Sequence, residues 1–283
     1  MQKIHLVTDS TSYLPREVIE EYGIHVVPLR VNLDGASLRE GLDITNAEFF
    51  RRLRTARTLP TTSQPPAGEF ATLYQELGQD GGSIVSIHIS GDLSGTVRAA
   101  ETARRMLPEL DIHILDSRIT CLGLGFVVWE AARAVRAGQP LSEVLARARA
   151  VIENVTAYFM VDDLNYLHRG GRIGAAQAFV GSLLAVKPIL AMKKAEGVIS
   201  VVDKVRTRKK ALERLVELTT HACGGQEKVT ATVLDADAKE VRQELTAELQ
   251  AALPQAEIIP SEFGPVIGTH VGPGAVGVIF YTV

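Results

Sequence analysis

The segment Ile89-Ser90-Gly91-Asp92-Leu93-Ser94-Gly95-Thr96 decides the fold of this chain. It follows an apolar stretch, 84–89, that predicts a buried strand, and it leads into a predicted helix over 95–107. Hydroxyls and glycines at such a strand-to-helix turn can hold a negatively charged oxygen, because the free N–H groups of the first helical turn and the helix dipole both favour an anion.

Similar hydroxyl-rich turns recur along the chain, at a predicted strand end or helix start. Hydroxyl-rich turns also stand at Asp9-Ser10-Thr11-Ser12, at Thr61-Thr62-Ser63-Gln64 and at Asp116-Ser117-Arg118. Each turn alone is explained by helix capping, for which Ser and Thr are preferred. The recurrence favours a functional role, and we expect several of these turns to converge on one small acidic group.

The first half of the chain alternates strand and helix signals. Strands are predicted at 3–8, 24–33, 84–89 and 112–116, and helices at 15–22, 46–55, 67–78, 95–107 and 121–138. Asp34-Gly35 predicts a hairpin turn into Ala36–Arg39. Continuous apolar strands alternating with helices predict a parallel sheet covered on both faces, with ligands at the carboxyl ends of its strands.

The pattern changes near residue 150, which predicts two α/β domains. The first, 1–152, has the parallel sheet with flanking helices, and the second, 153–283, is smaller with a mixed sheet. Within the second we predict strands at 156–161, 188–193, 198–202, 229–234, 257–259 and 275–281, and helices through Leu167 and at 175–185, 207–221 and 239–253. We expect the ligand in the cleft between the domains.

The amino-acid composition argues against several classes of protein. The 283 residues are 46% hydrophobic and 22% charged with a net charge of −3, so no global field favours nucleic acid or an anionic membrane. Cys121 and Cys223 lie in unrelated segments, which favours reduced, buried thiols. The start of the chain lacks a signal-peptide pattern, and no apolar run reaches the roughly 20 residues that span a bilayer. We therefore expect a cytoplasmic protein without stable membrane insertion.

Several kinds of active site are disfavoured by the motifs. Gly-x-Ser-x-Gly is absent because Asp92 stands where the first Gly belongs, and both common nucleotide-binding glycine motifs are missing. A serine nucleophile also needs a base within hydrogen-bond reach, for which His270 is the candidate. The seven histidines show no paired metal-ligand spacing, so no metal site is predicted.

Two further segments keep alternative interpretations. Gly268-Thr269-His270-Val271-Gly272-Pro273-Gly274 is either a tight turn before the last strand or a site where His270 donates to an anion. A basic cluster stands at the start of the predicted helix 207–221: Lys204, Arg206, Arg208, Lys209 and Lys210. It is either a solvated face or a surface for an acidic partner or phosphate, which Arg169 and Arg172 extend.

Seven segments, in this order, match one known family. They are Val7-Thr8-Asp9-Ser10-Thr11, Thr62-Ser63-Gln64-Pro65, Ile89 to Thr96, Leu115-Asp116-Ser117, Tyr166 to Ile173, Lys187-Pro188-Ile189-Leu190 and Gly268 to Gly274. On these segments the chain resembles the DegV family of bacterial fatty-acid-binding proteins over essentially its full length. The resemblance implies two α/β domains with a long-chain fatty acid, such as palmitate, stearate or oleate, buried between them.

The resemblance also implies a role for individual residues. The chain would be the non-catalytic, acyl-carrying subunit of a fatty-acid kinase in phospholipid metabolism, whose separate ATP-binding subunit converts the bound carboxylate to an acyl-phosphate. No cofactor, metal or catalytic residue is assigned. The implied ligand-binding residues are Thr62, Ser63, Ser94, Gly95, Thr96, Arg169 and His270. Arg172 and Arg206 are the implied contacts to the kinase subunit.

Two rival functions stay open. One is a free-standing enzyme, either a hydrolase that uses Ser94 and His270 or a small-molecule phosphotransferase. The other is a regulatory binding module for a different acidic lipid.

Overall fold

A computed structural model describes residues 3–179, 186–193, 196–226 and 228–282. Its strands are β1 (Ile4–Asp9), β2 (His25–Val27), β3 (Arg30–Leu33), β4 (Ala36–Arg39), β5 (Thr61–Ser63), β6 (Ser83–His88), β7 (Ile112–Asp116), β8 (Thr156–Met160), β9 (Lys187–Lys193), β10 (Val198–Val205), β11 (Val229–Asp235), β12 (Glu257–Glu262) and β13 (Val276–Thr282). Its α-helices are α1 (Arg16–Tyr22), α2 (Asn46–Leu53), α3 (Ala67–Leu77), α4 (Thr96–Met106), α5 (Cys121–Arg136), α6 (Leu141–Asn154), α7 (Asn165–Arg169), α8 (Arg208–Cys223), α9 (Lys239–Ala252) and α10 (Pro265–Val271).

The first half of the chain forms the parallel sheet that its pattern predicts. The strand order is β2-β1-β6-β7, and every neighbouring pair is parallel. Alternate residues point to opposite faces, so Ile84 packs with α3 and α4 while Val85 packs with α5. Because helices cover both faces, all six residues of β6 are buried. The predicted α/β class is therefore confirmed.

The second sheet is mixed, as predicted. Its order is β10-β9-β8-β13-β11-β12, in which only β11 and β12 pair in parallel. One face packs against α8 and α9, and the other joins the core cluster that also contains α5 and the first sheet. Val233 and Leu234 show this division, because the first side chain belongs to the α8/α9 cluster and the second to the shared core. The predicted boundary at 152/153 falls within the last turn of α6 and stays a prediction.

A small antiparallel sheet, β4-β3-β5, lies beside the parallel one. The predicted hairpin turn is present, with positive φ at both Asp34 and Gly35, which is the geometry of a type I′ turn. The single strand predicted over 24–33 is wrong, because it divides into β2 and β3. Pro28 lies at the break, and a residue without an N–H cannot continue a hydrogen-bonded ladder.

Two other segments differ from their predictions. Residues Gly174–Phe179 form a 3₁₀ helix in place of the start of the α-helix predicted over 175–185, and residues 180–185 lie outside the described part of the chain. The glycine-rich segment before the last strand, for which the sequence analysis considered a tight turn, begins inside the short helix α10. Pro265 occupies the first turn of α10, where its fixed φ and missing N–H are tolerated, and Gly272 ends the helix with a φ of 72°.

Within the described residues, no helix combines the length and apolar character that crossing a bilayer requires.

Candidate functional site

A cavity of about 300 Å³ lies between the two larger sheets. Most of its wall is apolar and is contributed by both halves of the chain. These apolar residues are Leu29, Ile89, Leu93, Ile119, Cys121, Ala157, Phe159, Leu167, Met192, Ile199, Leu234, Phe263, Val266, Ile267, Val271, Gly277 and Ile279. An elongated apolar ligand placed here would be removed from water along most of its length.

One set of polar side chains shares this wall. It comprises Thr62, Ser63, Gln64, Ser94, Thr120, Arg172 and His270. Two of the four hydroxyl-rich turns therefore reach the cavity, the one at Thr61–Gln64 and the one at Ile89–Thr96. In an otherwise apolar cavity, these groups are where a ligand's polar end can find hydrogen bonds.

The other two turns do not line the cavity, so only two of the four turns meet there. The Asp9 carboxylate accepts hydrogen bonds from the backbone N–H of Ile89, at 2.9 Å, and from Thr11. The Asp116 carboxylate accepts from the N–H of Gly91 at 3.1 Å. Both turns thus support the Ile89–Thr96 loop from behind, because they satisfy its buried amides.

His270 stands at the centre of the polar set. It lies on α10 with 9% of its surface exposed, and its Nε2 is 2.8 Å from the Thr62 hydroxyl. Burial, together with the nearby Arg172 charge, lowers the pKa of His270 to about 4. The imidazole is therefore neutral at pH 7, and it offers one N–H and one lone pair rather than a fixed charge. Its Nδ1 is buried, and none of the described residues forms a hydrogen bond with it.

Of the three predicted ligand-binding residues in the Ser94-Gly95-Thr96 turn, Ser94 lines the cavity, whereas Gly95 and Thr96 do not. Gly95 is the N-cap of α4, and Thr96 is its buried first residue. The Ser94 hydroxyl accepts from the Thr96 N–H at 3.3 Å and lies 2.8 Å from the Thr96 hydroxyl. Gly95 is required by close approach, since a Cβ there would fall 2.0 Å from the Gln64 side-chain oxygen. Gln64 also lines the cavity, although the sequence predicts no role for it.

The three arginines singled out by sequence occupy different environments. Arg172 lines the cavity, and its guanidinium donates to the carbonyls of Leu93 at 3.0 Å and Gly170 at 2.6 Å. Arg169 is exposed and lines a neighbouring cavity of about 320 Å³ whose wall also includes Thr62, Arg172 and His270. Arg206 is exposed just after β10 and does not line either cavity.

The hydrolase arrangement of Ser94 with His270 is not assembled. His270 Nε2 pairs with Thr62, whereas the Ser94 hydroxyl pairs with Thr96, and neither forms a hydrogen bond to the other. In the described residues, no cluster of three or more His, Cys, Asp or Glu side chains is placed to bind a metal ion.

The fold and site define an α/β protein with a largely apolar cavity that carries a cluster of hydroxyls and a neutral histidine. A family model described as "Uncharacterised protein, DegV family" matches residues 3–283. The chain is 42% identical over 276 residues to Protein DegV of Bacillus subtilis strain 168, with 97% of this chain and 98% of that protein covered.

Two solved structures extend the comparison. One is described as fatty acid binding of a DegV family protein from Thermus thermophilus, with a TM-score of 0.94, 38% identity and all of both chains covered. The other is described as DegV, a fatty acid binding protein from Bacillus subtilis, with a TM-score of 0.91, 40% identity and the same complete coverage. This chain belongs to the DegV family.

Proposed function

We propose that this protein binds a long-chain fatty acid in the 300 Å³ cavity and holds its carboxyl group at the polar set around His270. The observation that carries the proposal is the combination, in one site, of an apolar wall with the Thr62–His270 hydrogen bond and the Ser94 hydroxyl. The fatty-acid binding described for the Thermus and Bacillus relatives supports it.

The energetics of such a ligand agree with the wall. Burying a chain of about fifteen methylenes at ~0.8 kcal/mol each contributes roughly 12 kcal/mol before the entropy of association is subtracted. A buried carboxylate opposes binding unless it is hydrogen-bonded. Hydroxyls of Thr62, Ser63 and Ser94 and the His270 ring supply such bonds, with the Arg172 charge close by. Amides at Gly95 and Thr96 begin α4, where the helix dipole favours an anion.

We further propose that the bound carboxylate is presented to a separate ATP-binding kinase subunit, which forms the acyl-phosphate used in phospholipid metabolism in the cytoplasm. The exposed positions of Arg169 and Arg206 support contact with an anionic group or an acidic partner. The position of Arg172 supports a contact with the ligand better than the predicted contact with the kinase subunit, because two backbone carbonyls hold its guanidinium at the cavity wall.

The first experiment is mass spectrometry of the purified protein, native and after solvent extraction. We expect a fatty acid in stoichiometric amount, which the combined Ser94→Ala and His270→Ala change should deplete. A clean ligand-free mass, with no uptake of added palmitate, stearate or oleate, would contradict the carrier function. Hydrolysis of an activated acyl ester or of ATP by the purified chain alone would favour the solitary-enzyme alternative.

A second experiment separates docking from lipid binding. Arg206→Ala should retain lipid yet lower acyl-phosphate formation when the kinase subunit is limiting. Arg149→Ala is the matched control, because Arg149 is an exposed arginine on α6 and lines neither the lipid cavity nor the cavity at Arg169. Equal turnover by the two variants would contradict the docking role of Arg206.

A further inference from the structure

A buried carboxyl group outside the cavity contacts the helix that carries His270. Glu40 follows β4 and is 4% exposed. It accepts hydrogen bonds from the Ser10 hydroxyl at 2.5 Å, the Tyr13 hydroxyl at 3.1 Å and the backbone N–H of Val266 at 2.8 Å. Glu40 and Val266 are 226 residues apart, so this contact joins the first part of the chain to α10.

The amides at the start of α10 depend on this contact. The first N–H groups of a helix have no partner within the helix, and Gly264 has no side chain to cap them. Pro265 has no N–H, Val266 donates to Glu40, and the N–H of Ile267 donates to the Tyr13 hydroxyl at 3.4 Å. The two orphan donors of a fully buried helix are therefore satisfied from residues 13 and 40.

Close packing makes the contact rigid. A Cβ at Gly264 would fall 2.6 Å from the Tyr13 ring and 2.7 Å from a Glu40 carboxylate oxygen. His270 lies four residues after Val266, one helical turn or roughly 6 Å further along the same face. A shift of the first turn of α10 is therefore transmitted to the imidazole and to its bond with Thr62.

We propose that Glu40 is a positioning residue: by holding the first turn of α10, it sets His270 against Thr62 in the carboxylate site. The proposal rests on the proposed function, because it assigns Glu40 to the geometry of that same site. It also gives the Ser10 turn, which does not reach the cavity, a role in supporting Glu40.

The charges around the two groups imply a particular pH dependence. Burial, with a further contribution from Asp9, raises the pKa of Glu40 to about 7 despite its three hydrogen bonds. The adjoining Tyr13 and Cys121 have raised pKa values and stay neutral. If the α10 contact opens, Glu40 returns towards its ordinary pKa near 4.5 and His270 returns from about 4 towards 6.5.

Glu40 and His270 have opposite effects on the stability of the closed form, in which the contact between Glu40 and α10 is intact. When this contact opens between pH 4.5 and 7, Glu40 loses a proton. Its contribution to the stability of the closed form therefore falls as pH rises through that range. His270 gains a proton on opening between pH 4 and 6.5, so its contribution to the closed form rises with pH there. In the pH range where both groups titrate on opening, their two contributions cancel. The lipid dissociation rate of the wild-type protein should therefore depend only weakly on pH.

The test is the pH profile of the Glu40→Gln variant. The amide keeps the shape and one oxygen for Val266 but cannot titrate, so the His270 slope is no longer compensated. We expect the lipid dissociation rate to fall by up to about tenfold per pH unit as pH rises from 4 to 6.5. His270→Gln should show the opposite slope between pH 4.5 and 7. A Glu40→Gln profile parallel to that of the wild type would overturn the proposal.

A second measurement begins with delipidated protein. In delipidated protein, the ring pKa of His270 read by NMR should rise from about 4 towards 6.5 in Glu40→Ala, with about tenfold weaker fatty-acid binding. Glu143→Gln, an exposed glutamate on α6, is the control and should change neither. An unchanged His270 pKa in Glu40→Ala refutes positioning by Glu40. If the His270 pKa rises in Glu40→Ala but the wild-type protein binds no fatty acid, the result would refute the proposed function and not the positioning role of Glu40.

Discussion

Gly170→Ala tests whether the packing around His270 holds the imidazole in place. The φ of Gly170 is −72°, so alanine suits the backbone. Its Cβ would, however, fall 2.3 Å from His270 Nδ1 and 3.1 Å from the Tyr166 carbonyl oxygen. Since non-bonded heavy atoms sit roughly 3.5 Å apart, the ring must retreat by about 1 Å, which breaks its 2.8 Å bond to Thr62.

The magnitude follows from three contributions. Overpacking costs about 1–3 kcal/mol, and the lost hydrogen bond costs about 0.5–1.5 kcal/mol. Replacing Gly by Ala offsets about 0.4–1 kcal/mol through the unfolded chain. We therefore expect the free energy of unfolding to fall by about 0.5–4 kcal/mol in a urea titration, and fatty-acid uptake to weaken in parallel. Gly68→Ala, in α3 with nothing within 4 Å of its Cβ, is the control and should stabilise slightly.

A double-mutant cycle isolates the contact. His270→Ala removes the ring that the new methyl group meets, so Gly170→Ala should cost little in that background. We expect the double variant to be about 1.5–4.5 kcal/mol more stable than the sum of the two single changes, because the overpacking and the lost hydrogen bond both disappear without the ring. Additive free energies, within the usual error of about 0.5 kcal/mol, would refute the claim that Gly170 keeps space for His270.

Three further changes test other parts of the structure. Ser90→Ala removes a buried hydrogen bond to the Gly197 carbonyl, which joins the Ile89–Thr96 loop to the start of β10. The change should cost about 0.5–1.5 kcal/mol in urea unfolding and speed lipid exchange, and unchanged exchange would contradict a role for this contact in retaining lipid. Glu130→Gln weakens four hydrogen bonds that a buried carboxylate accepts from Arg133, Arg147 and Tyr281. Burial opposes ionisation of Glu130, but the bonds from Arg147 and Arg133 lower its pKa overall, so the cost of about 1–3 kcal/mol should be seen at pH 7 and be lost as pH falls below 4.5, with lipid binding retained. Burial raises the thiol pKa of Cys121 and Cys223, so both should resist a thiol-reactive dye in the native protein and react with it in urea. Rapid labelling of Cys121 without denaturant would contradict this and show that the cavity is open to water.

The hydroxyl turns could be found from sequence because each one is local. An apolar run followed by Ser, Thr and Gly specifies a strand end and a helix start within about ten residues. Ser94 and Thr62 therefore lie on the cavity wall as expected, and His270 was distinguished from the other six histidines by its glycine-rich segment as well as by the family resemblance. What local pattern could not reveal is that the Asp9 turn supports a neighbouring loop instead of meeting the ligand.

Sequence by itself determined the α/β class, the order of most strands and helices, and which loops carry the polar groups, because these depend on residues close together along the chain. Tertiary structure alone decided that Arg172 faces the cavity and that Glu40 holds the helix of His270. Such contacts join residues far apart in sequence, and their energies come from burial and from backbone amides whose partners exist only once the two halves have packed together.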